Sequence, residues 1–183
     1  MIYRLALLAI LLAGCRNGSK PSPAPGDTTP STLGAAPAQF SDLAPGDTAA
    51  VVDMMRQLMR GIDAGTPAMV QRDTSFGGGA DTLVHRLTVW VQDGVPRKLV
   101  AIDSSTTARN NTETDVWFMG GDVAIVLQVA DAYAFDSDRI VLWTDEALTP
   151  RTEVTAELLM AKQTELITMV QRWLDAIGIH PPQ

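Results

Sequence analysis

The chain has 183 residues, 46% of them apolar, with 14 Lys and Arg against 21 Asp and Glu, two His, a single Cys and a formal net charge of −7. One cysteine excludes an internal disulfide framework and any multi-thiolate metal site. The acidic balance excludes the basic face that a general phosphate-backbone binder needs, and the length suits one domain.

The N-terminus reads as an export signal. Arg4 precedes an apolar run from Leu5 to Ala13, and small residues follow. That order of charge, short hydrophobic stretch and small residues is the layout of a secretory signal. The run is far shorter than the roughly 20 residues a spanning helix needs. The lone cysteine closes the tetrapeptide Leu12-Ala13-Gly14-Cys15.

This stretch resembles the lipobox of bacterial lipoproteins, in which small residues precede a Cys that is lipid-modified and becomes the first residue after cleavage. The resemblance covers only the first 16 residues or so. It implies removal of residues 1–14, a thioether-linked diacylglycerol on Cys15 and, in many bacteria, an acyl chain such as palmitate on its amine. Two or three buried chains anchor stably, because each buried CH₂ contributes ~0.8 kcal/mol and one chain alone is marginal. Arg16, not Asp, follows the cysteine. In bacteria that sort lipoproteins by an Asp at that place, the resemblance implies the outer membrane rather than the inner. The expected location is the cell envelope, on a membrane and facing the periplasm.

Residues 16–47 carry six prolines, with Gly, Ser, Thr and Ala making up most of the rest. Too few apolar side chains remain to offset the entropy of ordering this stretch, so residues 15–48 are expected to be a lipidated, disordered tether. Its coil-like span is roughly 30 Å. Leu33, Phe40 and Leu43 are its large apolar residues and are expected to be solvated rather than docked.

Residues 49–183 change texture and are expected to form one α+β domain. Asp47 or Thr48 caps a first helix whose apolar positions are Val51, Met55, Leu58 and Ile62, ending at Gly61 and Gly65. Three segments, 89–100, 116–127 and 133–143, each hold an aromatic-bearing run, a turn signal and a second apolar run, the pattern of successive hairpins. With Asp93-Gly94 as a two-residue turn, Val89 faces Lys98, Trp90 faces Arg97 and Leu87 faces Val100. Leu87, Val89, Val91, Val100 and Ile102 then share one face, and Trp90 and Arg97 make a cation–π pair on the other. Lys98 and Leu99 fall on the wrong faces in this register. Val123 to Val129 is apolar on both faces and reads as a central strand. A second helix of about 27 residues starts at Thr149-Pro150 and ends at Gly178. Helix, antiparallel meander of five to seven strands and long helix make the architecture.

Catalytic motifs do not appear in this sequence. The glycines 77–79 lack the Lys and hydroxyl of a phosphate cradle and read as a loop. His85 reads as a strand-end or partly buried histidine with a backbone partner, and His180 as solvated. Asp136-Ser137-Asp138 lacks the Gly and Glu of a calcium loop and reads as a hairpin turn. Asp131, Asp145 and Glu146 gather carboxylates near one sheet edge. Trp90, Trp117, Trp143 and Trp173 either fill the core or converge beneath the long helix on a pocket for an apolar or sugar ligand.

The leading expectation is a non-enzymatic, lipid-anchored envelope protein whose tethered domain binds a protein partner or serves assembly, without metal, cofactor or nucleic acid. The alternatives are a small-ligand carrier or sensor using the tryptophan pocket, and a hydrolase of envelope polymers using Asp131 or Asp145.

Overall fold

The computed structural model describes residues 39–44, 46–78, 83–105 and 111–180. The lipobox with Cys15, Leu33, Gly79, Pro181 and Pro182 lie outside them. All described residues belong to one unit, residues 36–183.

Seven strands lie side by side in chain order in a single antiparallel sheet: β1 Val70–Gly77, β2 Leu83–Gln92, β3 Val95–Ser105, β4 Asn111–Met119, β5 Asp122–Gln128, β6 Asp131–Asp136 and β7 Arg139–Asp145. Helices α1, Thr48–Gly65, and α2, Ala156–Ile177, cover opposite faces. This is the α+β meander expected from the sequence. The tight turns fall at the anticipated residues, Asp93-Gly94, Gly120-Gly121 and Ser137-Asp138, all with positive φ. That backbone matches the twist of the paired strands.

Cross-strand pairing sorts the side chains. One row runs Arg72, Val89, Leu99, Val116, Val126, Tyr133 and Trp143, from β1 to β7. It packs under Leu166, Val170, Trp173 and Leu174 of α2. The neighbouring row, Gln71, Trp90, Lys98, Trp117, Ile125, Ala134 and Leu142, lies on the other face, where Met55 and Ile62 of α1 bury themselves. Full burial of each large apolar side chain contributes about 1.5–3 kcal/mol. The middle of β5 is buried on both faces, as its two-sided apolar pattern requires.

Three expectations are corrected. The β2–β3 register slips between Trp90 and Val91, so Lys98 rather than Arg97 stands across from Trp90, and Leu87 faces Ala101. The bulge at Arg97 turns Leu99 and Ala101 into the core, in place of Val100 and Ile102. Burial of two apolar residues outweighs an unbroken ladder. Second, α2 begins at Ala156 behind the N-cap Thr155, whose hydroxyl accepts the Leu158 N–H. Pro150 instead bridges Thr144, the Asp145 N–H donates to the Thr149 carbonyl, and the Arg151 N–H donates to that of Trp143. The stretch that looked like a first helical turn spends its hydrogen bonds on the outer edge of β7. Third, Phe40 is buried against α1 and the sheet, within a short 3-10 turn, Phe40–Asp42. An aromatic ring beside the α1 core gains more from docking than from solvation. Asp47 caps α1 through the Ala50 N–H, and Gly178 closes α2 in the left-handed conformation, both as the sequence indicates.

Candidate functional site

The sheet separates the four tryptophans. Trp173 and Trp143 lie on the α2 side, where Trp143 tilts against Tyr133 at 4.9 Å. Trp117 lies on the α1 side, and Trp90 shares that face through Lys98. Two hollows flank α1. One of about 420 Å³ is lined by Phe40, Leu43, Val51, Arg139 and Val141 among others. One of about 360 Å³ is lined by Leu58, Ile62, Met69 and Arg97 among others. No tryptophan lines either of them.

The polar clusters are built from strand pairs. His85 and Asp103 face each other across β2 and β3, with Nδ1 and Oδ1 at 2.6 Å and side chains 15% and 21% exposed. Phe76 stacks on the imidazole at 4.7 Å, and the Arg172 guanidinium lies 5.4 Å from the phenyl centre. A carboxylate on Nδ1 fixes the ring's orientation, and the ring closes the sheet where Phe76 meets the end of α2. His85 is thus partly buried as expected, but its partner is the Asp103 side chain rather than the backbone. His180 lies 3.6 Å from Asp175 at the exposed end of α2.

On the opposite face the Lys98 ammonium binds Asp63 at 2.9 Å and Asp115 at 3.3 Å, and lies 4.8 Å from the Trp117 ring centre. Burial pushes the Asp115 carboxyl above its ordinary value, and Lys98 pulls it partly back. This cluster fastens the last turn of α1 to β3 and β4. Burial likewise raises the Tyr133 phenol.

The carboxylates at the other side do come together, since Asp131 and Asp145 pair directly across β6 and β7. Each has a structural partner. Asp131 accepts from Arg151 at 2.7 Å, and Asp145 accepts the Thr149 N–H at 2.7 Å. Both hold the return segment against β7. Among the described residues no group of three His, Cys, Asp or Glu is placed to hold a metal ion, and no helix is long and apolar enough to cross a membrane.

The two sheet edges differ. The end of β7, Trp143 to Asp145, is bridged by Thr149 to Arg151. Among the described residues β1 pairs only with β2, through all eight positions without a register shift. The Gly78 N–H donates to the Leu83 carbonyl, and antiparallel pairing alternates every second residue. The backbone N–H and C=O groups of Gln71, Asp73 and Ser75 therefore point away from β2. All three residues are exposed. Periodicity gives no sign of this strand, because six of its eight positions are solvent-facing and no apolar alternation marks it. Compared with models of known families, with curated proteins and with solved structures, the chain matches none.

Proposed function

We propose that this protein is a lipoprotein of the bacterial cell envelope, cleaved before Cys15, held by acyl chains on that residue and facing the periplasm, with the outer membrane favoured. Its α+β domain is a non-enzymatic binding module on a tether, and its partner is a protein that adds a strand to β1. The observation that carries the reading is an asymmetry among the described residues: the end of β7 is bridged by Thr149 to Arg151, while β1 pairs on one side only. Open edges template pairing with another chain, and proteins ordinarily blunt them with Pro, Lys, bulges or a covering segment. β1 carries no Pro, no Lys and no bulge, and its two charged residues, Arg72 and Asp73, are of opposite sign. Strand addition supplies affinity through main-chain hydrogen bonds and specificity through alternate side chains.

A photo-crosslinking residue in place of Ser75, in the full-length protein on its membrane, tests the reading. Irradiation is expected to give a protein adduct that the same residue at Ser137, in the β6–β7 turn, does not give. Equal labelling at both positions, or none at Ser75, overturns the assignment of β1 as the binding edge.

A further inference from the structure

We infer that the strand added to β1 is the β1 of a second copy, in a register centred on Thr74. This rests on the reading of β1 as the binding edge and names its occupant.

A two-fold axis normal to the sheet sets two β1 strands antiparallel, the arrangement of an isologous dimer. The outward-pointing backbone groups belong to the odd-numbered residues 71, 73 and 75, so bonding pairs must join odd residues to odd residues. Two registers, centred on Asp73 and on Thr74, satisfy this with seven residues of each strand overlapping, whereas those centred on Arg72 and Ser75 overlap by five. The one centred on Asp73 sets Asp73 directly against its own copy. Like charges directly opposite destabilise a pair. Centred on Thr74, the same strands set Asp73 across from Ser75, Arg72 across from Phe76 and Thr74 across from Thr74. That register sets no like charges directly opposite each other across the pair. The length of β1 and its side-chain pattern thus select the register centred on Thr74.

An eight-residue edge buries far less than the roughly 1,200 Å² of a stable interface. The dimer is accordingly weak in dilute solution. Lipid anchors that confine both copies to one surface raise their effective concentration and supply what the small contact lacks.

Cysteine crosslinking in membranes tests the register. Opposed Thr74 residues form a non-hydrogen-bonded pair with Cα atoms about 4.5 Å apart, within disulfide reach. Arg72 and its copy are offset by four residues, roughly 13 Å. Full-length Thr74→Cys on its membrane is expected to give a disulfide-linked dimer under mild oxidation, at least about tenfold more than Arg72→Cys or the unaltered chain. Co-expressed Asp73→Cys and Ser75→Cys copies, both altered at exposed positions, are expected to give the mixed dimer. Adding Ser75→Pro, which removes an outward N–H, is expected to abolish the Thr74→Cys dimer. Dimer from Arg72→Cys but not Thr74→Cys overturns the register. No dimer from either Thr74→Cys or the mixed pair overturns self-pairing, and binding at β1 then stands or falls on the Ser75 photo-adduct alone.

Discussion

Lys98 and Trp117 stand directly across from each other on β3 and β4 and hold the same oxygen of Asp63, at 2.9 Å each. Two donors from the sheet thus converge on a carboxylate near the C-terminal end of α1, and the cation lies over the ring beside it. Lys98→Met keeps the aliphatic stem and removes the ammonium. It is expected to cost about 2 kcal/mol at neutral pH, read by denaturant unfolding. The cost depends on pH through Asp115. Burial raises that carboxyl above 3.8, and losing Lys98 removes the largest influence lowering it. A carboxyl with a raised folded pKa contributes stability that is present below its unfolded value and is lost as pH rises through the folded value. The Lys98→Met penalty is therefore larger at pH 7 than near pH 4. A penalty that grows on acidification contradicts the assignment.

Gly77 ends β1 at φ +90°, and a Cβ there would lie 2.5 Å from the Leu83 carbonyl oxygen. Backbone cannot yield as a flexible side chain can. Gly77→Ala is expected to cost about 3 kcal/mol and to loosen β1, whereas Gly120→Ala, in open space at φ +68°, costs about 1 kcal/mol. Thermal unfolding of the two variants gives the comparison.

Val129 turns from β5 to β6 at φ +56° and is 69% exposed. A β-branched residue is strained in that conformation, by about 1–2 kcal/mol. Val129→Gly relieves the strain and loses almost no packing. It is expected to raise the unfolding midpoint, with about 1 kcal/mol of added stability.

The start of α2 separates two sequence signals. Thr155→Ala removes the side chain that accepts the Leu158 N–H and is expected to cost about 1 kcal/mol. Pro150→Ala leaves α2 intact, because Pro150 belongs to the edge of β7. Helix content by circular dichroism, with unfolding midpoints, distinguishes the two. Loss of helix in Pro150→Ala would restore the earlier start.

What the sequence reveals follows from where local chemistry decides. The hairpin turns are legible because Asp-Gly, Gly-Gly and Ser-Asp tolerate the positive φ those turns demand. The ends of α1 and the close of α2 at Gly178 are legible for similar reasons. The bulge at Arg97 is not, since its cause is the tertiary burial of Leu99 and Ala101, although the misplaced Lys98 and Leu99 are its trace. The start of α2 misleads because Pro150 suits a helix's first turn and a bridged edge segment equally. The tryptophans defeat a sequence reading for another reason. Strand parity cannot be carried through bulges between Trp90 and Val91 and between Trp117 and Phe118, so which face each ring takes emerges only from the pairing. The β1 edge is least legible, because a strand exposed on most positions has no pattern to show.

Membrane attachment is the premise on which the proposed tether, β1 contact and confinement of copies depend. Cys15→Ala is expected to move the protein from the membrane fraction to the soluble one. The most direct measurement is the mass of the N-terminal peptide of the unaltered protein extracted from membranes. The account predicts a chain that begins at Cys15 and carries diacylglycerol. A peptide still joining Gly14 to Cys15, or a Cys15 bearing no lipid, would contradict it.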